Sequence, residues 1–516
     1  MLQHDDTTPA QPDDEAPTAA PNGEQFASNP DEPLVMDEVR VDPGVALSVP
    51  ATLALRKEVL PICRLNGEVV IVCADIEDVA TQRQLKQVFD EELNLVVADP
   101  ESLRRALKRV YGSVSSSRGR SRNTQGVESE DAVAICDQLL QAAALRNASD
   151  IHLVPNETVL VAKLRVDGNL DVVSEIPLDM HGAVVSRIKV LAGLDIAEKR
   201  APQDGRFSNR MGPDQTKIDI RVATLPTRFG ERVTMRLLGG LAGSISLSKL
   251  GMSDADLSVF KRAITRPHGM VLLTGPTGSG KSTTLYAAIG ELLRTDSGNV
   301  ITVEDPIEYE MPEVSQVQVD SADKIGFAKA LRSILRHDPD VVMIGEIRDL
   351  ETAEIAAKAS LTGHLVFSTL HTNTAAGVVT RLADMGLQRF LIAATLRLAV
   401  AQRLVRQLCT HCRMPRPLAA EEATFLGRTD AAGATIYDAR GCVYCAGSGF
   451  IGRVALIELF DCDEDVSRLI SSGAGEEDLI SNARERDRAL LMDDAVDKLF
   501  AGITTYEEVI KAVVVW

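Results

Sequence analysis

Aromatic residues are scarce in this 516-residue chain, at 4%, and basic residues are outnumbered by acidic ones. The scarcity of aromatic rings leaves little that is typical of a surface on which nucleic-acid bases stack. Lysine and arginine total 55 against 74 aspartates and glutamates, a net charge of −19. A protein that binds duplex nucleic acid needs cations to neutralise phosphates. We therefore expect no nucleic-acid partner.

Long apolar runs are missing as well. The sequence contains no stretch of 18 apolar residues, so it predicts no membrane-spanning helix. The first residues, MLQHDDTTPA, lack the basic region and apolar core of a secretory signal. These absences predict a cytoplasmic protein, in which the eight cysteines stay reduced and available to bind metal.

The length is enough for three or four domains, and composition divides the chain. Residues 1–45 hold eleven acids, seven prolines and only one basic residue, Arg40, so they predict a disordered acidic tail. The remaining divisions are a small α/β docking module (46–112), a Ser-, Gly- and Arg-rich linker (113–129), an α+β domain (130–242), an α/β domain with a doubly wound parallel sheet (243–400), a cysteine-rich segment (401–460) and a mostly helical remainder (461–516).

A phosphate-binding loop is the strongest local signal. Met270–Thr274 is an apolar strand, the motif G-x-x-x-x-G-K-S follows, and Thr283–Leu293 has a helical pattern. Strand, glycine loop and helix together are typical of a nucleotide site with Mg²⁺. Backbone N–H groups would surround the phosphates, and Lys281 and Ser282 would reach the phosphates and the magnesium ion. The predicted nucleotide-binding residues are Gly275, Pro276, Thr277, Gly278, Ser279, Gly280, Lys281, Ser282 and Thr283.

Carboxylates and histidines follow three later strands. Glu346 ends the strand VVMI and suits the magnesium shell, although it could be a simple strand-end acid. Glu304, Asp305 and Glu308 lie together after another strand, where a carboxylate could take a proton from water or cap a turn. His364 and His371 flank a fourth strand, roughly 23 Å apart along it, so they cannot share a metal; a structural role for them is the alternative.

Two C-x-x-C pairs, Cys409/Cys412 and Cys442/Cys445, are separated by 29 residues. Four thiolates with this spacing suit tetrahedral Zn²⁺, and with no open position the metal would be structural. A redox role is the alternative, but a redox C-x-x-C usually occurs singly near a βαβ unit.

These motifs, taken in order, resemble the secretion/pilus-assembly ATPase family, the motors of type II secretion and type IV pilus extension. The motifs that carry the resemblance are GPTGSGKS (275–282), ITVEDPIEY (301–309), DPDVVMIGEIRD (338–349), TGHLVFSTLHTN (362–373) and CVYCAGSGFIGR (442–453), with ASDIHLVP (148–155), RVDG (165–168), APQDGRF (201–207) and DIRVATLPT (219–227) upstream.

The resemblance implies a RecA-like P-loop domain, a PAS-like α+β domain before it, and a homohexamer that hydrolyses ATP. It implies an inner-membrane platform protein and the cytoplasmic domain of a membrane protein as partners, the latter through the N-terminal module. It assigns Glu304 as catalytic base and Glu346 as the Walker B carboxylate, with less firm roles for His364 and His371. The implied arginine fingers are Arg221 and Arg236, with Arg332, Arg336 and Arg348 as helper arginines.

Three classes of function stay open: an assembly motor, a nucleic-acid translocase and a non-hydrolysing scaffold. A type II secretion motor is slightly favoured over a pilus extension motor because the N-terminal module is single and small. A RecA-like nucleic-acid translocase shares the P-loop sheet, but the acidic balance opposes it. A non-hydrolysing scaffold built on the zinc module is opposed by the intact Lys281, Ser282, Glu304 and Glu346.

Overall fold

The computed structural model describes residues 33–111, 127–211, 216–238, 246–295, 298–319 and 326–514. Within these residues the chain forms three sheet-based units and a set of C-terminal helices. None of the described helices combines the length and the apolar character that crossing a membrane requires.

The first unit is a three-stranded sheet with helices around it. β1 and β2 form an antiparallel hairpin, and Asn66 and Gly67 turn the chain with φ of 53° and 85°, conformations that Asn and Gly tolerate. β3 adds parallel to β2. The elements are α1 (Pro43–Ala46), α2 (Ala51–Lys57), β1 (Val59–Leu65), β2 (Glu68–Cys73), α3 (Val79–Lys86), β3 (Glu92–Val97) and α4 (Pro100–Tyr111).

The expected acidic tail extends too far into this unit. Met36 is fully buried, Val39 and Val45 are buried with it in the same core, and Leu34 pairs with Ala98 beside β3. Apolar residues spaced between the acids of this segment bury enough surface to order it. Residues 1–32 and most of the expected linker, 112–126, lie outside the described residues, and the next helix begins at residue 127.

The second unit is a six-stranded, wholly antiparallel sheet in the order β6-β5-β4-β9-β8-β7. One face is apolar and packs against two helices, burying Ile151, Leu164, Val222 and Met235. The other face carries charged side chains. The elements are α5 (Val127–Leu145), β4 (Asp150–Pro155), β5 (Val159–Val166), β6 (Asn169–Pro177), α6 (His181–Ala192), β7 (Gln203–Met211), β8 (Thr216–Thr227) and β9 (Gly230–Leu238).

The third unit is a seven-stranded sheet in the order β12-β11-β13-β14-β10-β15-β18. Six strands are parallel and β18 is antiparallel to β15. Its central strands are apolar throughout because helices cover both faces. The elements are α7 (Asp254–Ile264), β10 (Gly269–Thr274), α8 (Lys281–Thr295), β11 (Val300–Glu304), β12 (Ser315–Gln318), α9 (Phe327–Ile334), β13 (Val341–Ile344), α10 (Leu350–Leu361), β14 (Leu365–Leu370), α11 (Gly377–Asp384), α12 (Arg389–Thr395), β15 (Leu396–Leu408) and β18 (Phe450–Asp461).

The boundary expected at residue 400 falls inside β15. This strand and β18 pair from Leu398/Asp461 to Leu408/Phe450, so the cysteine segment is an excursion from the far end of this strand pair rather than a separate unit. Between the two strands lie β16 (Met414–Pro417), α13 (Ala420–Phe425) and β17 (Thr435–Asp438). The C-terminal helices are α14 (Glu464–Ser472), α15 (Glu476–Glu485), α16 (Leu491–Phe500) and α17 (Tyr506–Val513).

A buried ion pair holds the second unit together. Lys189 on α6 is 1% exposed, and its Nζ lies 2.5 Å from an oxygen of Glu231 on β9 and 2.6 Å from the carbonyl oxygen of Glu198. A buried lysine needs such partners because an unpaired charge in the interior is very costly.

We predict that Lys189→Met destabilises the second unit by about 3–5 kcal/mol, because it leaves Glu231 buried without its partner. Hydrogen exchange of peptides from α6 and β9 in the full chain would measure the loss. The control is Lys358→Met, which removes an exposed pair with Glu354 at 2.9 Å and should cost less than about 0.5 kcal/mol. Equal protection in both variants would contradict the prediction.

Candidate nucleotide site

The phosphate-binding loop connects β10 to α8 as the sequence predicts. Gly275, Gly278 and Gly280 have φ of 143°, 81° and 88°, a region that other residues rarely adopt. A Cβ on Gly275 would lie 2.4 Å from the carbonyl oxygen of Gln402, and one on Gly280 would lie 2.8 Å from the side-chain nitrogen of Gln402. The loop therefore requires glycine for space as well as for conformation.

A cavity of about 460 Å³ opens against this loop. Its walls include Gly275–Ser279, the segment after β14, β15 and, less expectedly, the end of α17. The Ser279 hydroxyl is buried and has no hydrogen-bond partner among the described residues. The backbone N–H groups of the loop, the unpartnered Ser279 hydroxyl and the N-terminus of α8 can all interact with the phosphates of a ligand.

Lys281 lies at the start of α8 with its amine turned into the loop. Nζ donates to the carbonyl oxygens of Gly275 (2.7 Å) and Pro276 (3.0 Å). Burial, helped by the nearby Arg403 guanidinium, lowers the pKa of Lys281 to about 8, while Glu346 and Glu308 act in the opposite direction. Glu346 and Glu308 are therefore the carboxylates whose charge acts on this amine.

Glu346, just after β13, contacts two other predicted residues, Arg348 and His371. One of its carboxylate oxygens contacts the Arg348 guanidinium, and the other lies 3.4 Å from His371 Nε2. Arg348 also lies 3.9 Å from Asp305. The structure thus brings Glu346, His371 and Arg348 together beside the loop.

His364 is placed elsewhere. It precedes β14 at the amino end of the strand, where Leu365 pairs with Gly269, whereas the phosphate loop follows the carboxyl end of β10, roughly 17 Å away. Its Nδ1 lies 2.9 Å from the carbonyl oxygen of Ala359. Within one chain His364 therefore lies away from the phosphate loop and has a local contact, and its role in the site stays a prediction.

Glu304 is enclosed by side-chain donors. It is buried at the end of β11 and accepts hydrogen bonds from the Tyr286 hydroxyl, the Thr302 hydroxyl (2.6 Å) and the Gln316 amide (3.1 Å). These donors occupy three of about four acceptor positions of the carboxylate. The assignment of Glu304 as catalytic base stays a prediction, and its contacts within the protein favour a positioning role.

Glu308 is the acid that faces the loop. Burial raises its pKa, the neighbouring Glu304 adds to that rise, and interactions with Ser282, Arg236 and Arg221 oppose it. A carboxyl whose pKa is moved toward neutrality and lies beside the predicted magnesium ligand Ser282 suits proton abstraction. The sequence placed Glu308 in the acidic cluster but gave no signal that would choose it over Glu304.

The two predicted arginine fingers lie side by side on the second unit and interact with acids that follow β11 in the third unit; the space between these two groups is called the cleft below. Arg221 on β8 is opposite Arg236 on β9, and both lie close enough to the acids after β11 to affect their charge or be affected by it. Of the predicted helper arginines, only Arg348 is at the site. Arg332 pairs with Glu351 at 2.6 Å, and the Arg336 guanidinium donates to the Arg332 carbonyl.

The sequence model for the type II/IV secretion system protein family matches residues 127–511, and a second model, for the MshEN domain, matches residues 34–117. The chain belongs to the type II/IV secretion system protein family. The resemblance drawn from the ordered motifs is therefore confirmed.

Named relatives of this family member cover most of its length. Type II secretion system protein HxcR of Pseudomonas aeruginosa is 45% identical over 437 residues, 83% of this chain and 89% of the relative. Type II secretion system ATPase E of Vibrio cholerae is 47% identical over 75% of this chain and 77% of the relative. Type IV pilus assembly ATPase PilB of Myxococcus xanthus is 39% identical over 91% of this chain and 87% of the relative.

Two solved structures share the fold of about three quarters of the chain. The pilus retraction motor PilT with bound ADP has a TM-score of 0.51 and 28% identity, and the match covers 74% of this chain and 96% of that one. The ATPase DotB of Legionella pneumophila has a TM-score of 0.55 over 75% of this chain and 96% of that one, at 24% identity. The predicted RecA-like α/β fold is confirmed.

The four predicted metal ligands come together at the end of the β15/β18 strand pair. The sulfur atoms of Cys409, Cys412, Cys442 and Cys445 lie within 4.8 Å of one another, and all four residues are buried. Three of the sulfur–sulfur distances are 3.8 Å. Zinc–sulfur bonds of about 2.3 Å at tetrahedral angles place sulfurs about 3.8 Å apart, so the set fits Zn²⁺.

The second C-x-x-C also contacts the first unit. Val443 is buried in the core of that unit, the Arg40 N–H donates to the Tyr444 carbonyl (3.1 Å), and the Tyr444 ring stacks on His411 at 3.9 Å. Nearby, Asp167 of the second unit accepts from Arg40 (3.2 Å) and lies 3.8 Å from Arg453, at the start of β18. The cysteine segment is thus a point where the three units meet.

We predict that nucleotide binding takes up protons and weakens as pH rises through about 8. The Lys281 pKa is lowered to about 8 in the free protein, so at higher pH part of the amine is neutral and must be protonated to meet a phosphate. Calorimetry of Mg-ATP binding at pH 8, in buffers of different ionisation enthalpy, would measure the uptake. A binding enthalpy that does not depend on the buffer would contradict this.

We also predict that a metal chelator loosens both the cysteine segment and the first unit while nucleotide affinity changes less than about twofold. Structural zinc sites contribute their binding energy to folding, and Val443 links this segment to the first unit. Hydrogen exchange of residues 33–111 and a fluorescent-nucleotide titration would test the two effects. A large loss of nucleotide affinity after chelation would contradict the separation.

Proposed function

We propose that this chain is the ATP-hydrolysing, hexameric motor that drives pseudopilus assembly in type II protein secretion. The chain is an ATP-hydrolysing enzyme of the secretion family. The observation that carries the proposal is the arrangement around Lys281. Its amine is turned into the phosphate loop, Glu346 and Glu308 both act on its charge, and Glu308 interacts in turn with Arg221 and Arg236 of the second unit. The named type II secretion relatives are the reason for assigning this ATPase to protein secretion.

The residues at the loop divide the binding of Mg-ATP between them. The amides of Gly275–Ser282 and the Lys281 amine would hold the phosphates. The Ser282 hydroxyl and Glu346 would hold Mg²⁺, either directly or through water. The ion, when bound, neutralises charge that develops on the phosphates. His371 and Arg348, both on Glu346, would fix the orientation of that carboxylate.

Glu308 is the residue we assign to proton abstraction from the attacking water. Glu308 is half-buried, desolvation raises its pKa, and its carboxyl interacts with Ser282, whereas Glu304 is enclosed by Tyr286, Thr302 and Gln316. Glu304 then acts indirectly, because it fixes Tyr286 on α8 against the strand end from which the acidic loop departs.

Closure of the cleft would complete the site. Arg221 and Arg236 belong to the second unit and the phosphate loop to the third, so turnover requires the two units to approach each other. Stabilisation of transition-state charge by such arginines contributes about 10³–10⁵ in rate. ATP binding would close the cleft and product release would open it. This movement is the mechanical output we propose.

The remaining proposals concern the surroundings of the motor. We place it in the cytoplasm at the inner membrane, with an inner-membrane platform protein as the partner that receives the motion. The first unit, which matches the MshEN domain, would bind the cytoplasmic domain of a membrane component. Zn²⁺ held by the four cysteines would keep the cysteine segment folded against that unit.

Type IV pilus extension is the second candidate. The PilB relative aligns over 91% of this chain, more than the secretion relatives do, although at lower identity. The two functions share the same chemistry, so the site does not separate them. Deletion of the chromosomal gene would do so: lost secretion with intact pili supports the secretion motor, and the converse supports pilus extension.

We predict that Glu308→Gln lowers kcat by about 10²–10⁴ while Mg-ATP binding is retained, because general-base catalysis contributes a factor of this size. Glu304→Gln should lower kcat far less, since its amide oxygen can accept from Thr302 and Gln316 while its amide nitrogen donates to the Tyr286 hydroxyl oxygen. Steady-state phosphate release and nucleotide titration on the same preparations would measure both.

Lys281→Ala is the reference variant, in which binding and turnover are lost together. A larger loss of kcat in Glu304→Gln than in Glu308→Gln would transfer the base assignment back to Glu304.

A further inference from the structure

A row of charged residues crosses the sheet of the second unit on the face that carries Arg221 and Arg236. Four strands place residues in register: Arg206 on β7, Arg221 on β8, Arg236 on β9 and Asp150 on β4, and Arg165 on β5 continues the row. Residues directly opposite one another in a sheet project to the same side. Asp150 is the one acid in this row.

Asp150 is buried and surrounded by donors. Its side chain is 7% exposed. One carboxylate oxygen lies 3.0 Å from Arg236 Nε, and the other lies 2.8 Å from the Ser149 hydroxyl and 3.6 Å from Arg165 Nε. A carboxylate this buried is stable only when paired, and here its partners are arginines on the two neighbouring strands.

The contact with Arg236 restricts the side chain without covering it. Asp150 meets Nε, on the side of the guanidinium nearest the backbone, and the Arg236 side chain remains 64% exposed. The terminal nitrogens therefore stay available to an anion in the cleft, where Arg236 also acts on Glu308. Because guanidinium is planar, holding Nε fixes the plane in which those nitrogens lie.

We propose that Asp150 is a positioning residue for the reaction, which holds Arg236 in the orientation that meets the nucleotide phosphates when the cleft closes. This inference rests on the proposed role of Arg236 as a finger. Arg165 lies on the other side of Asp150, 3.6 Å from the second carboxylate oxygen, so the carboxylate is held between two strands.

A purely structural role for Asp150 would have different consequences. The apolar core of the second unit is on the opposite face of the sheet, around Ile151, Leu164 and Met235, and does not depend on Asp150 for its packing. Loss of a positioning contact should therefore lower kcat with little effect on KM or on thermal stability, since misplacing a catalytic group by about 1 Å can cost roughly 10²-fold.

A double-mutant cycle in the full chain tests the proposal. We expect Arg236→Ala to lower kcat by about 10³-fold and Asp150→Asn by about 10–100-fold, with no further loss when the two are combined. Arg236→Lys keeps the charge but lacks Nε–H, and it should match Asp150→Asn; this variant tests the contact even if Asp150→Asn folds poorly. Asp171→Asn, which removes an Asp–Arg pair on the opposite face of the sheet (3.5 Å to Arg146), should keep the parent rate.

Two results would overturn the inference while the finger role stands: losses that multiply in the double variant, or a parent-like kcat in both Asp150→Asn and Arg236→Lys. If Arg236→Ala itself turned over at the parent rate, the proposed finger role would fail, and the inference about Asp150 would fail with it.

Discussion

The attraction between arginines of the second unit and acidic residues of the third unit is the interaction on which the proposed site depends. The second unit presents four arginines and one aspartate in register on a single face. In the third unit Asp305 and Glu308 act on Arg221, and Glu308 and Glu346 act on the buried Lys281. The two units attract each other through these groups, and a bound phosphate would add negative charge between them.

The sequence predicted the third unit well because its central strands are buried on both faces. The strands Met270–Thr274 and Val341–Ile344 are buried throughout, and each is followed within two residues by a residue of the site, Gly275 or Glu346. The four cysteines could be predicted because the spacing of metal ligands is a local property of the sequence. The prediction missed the ordered part of residues 33–45, because the apolar residues there were outweighed by acids counted over the whole segment.

Choices between neighbouring groups could not be made from the sequence. Glu304 and Glu308 are four residues apart, and what separates them is a hydroxyl from α8 and an amide from β12. His364 and His371 both flank β14, but only the carboxyl end of that strand reaches the loop. The contribution of α17 to the cavity wall has no local signal at all, because it depends on how the end of the chain returns across the sheet.

The double contact of Asp167 has a mechanical consequence. This residue occupies a tight turn of the second unit and is shared by Arg40 of the first unit and Arg453 at the root of the cysteine segment. A change in the position of the second unit would act on both arginines through one carboxylate. The first unit and the cysteine segment would then change position together with the second unit, so the three units are mechanically coupled at this turn.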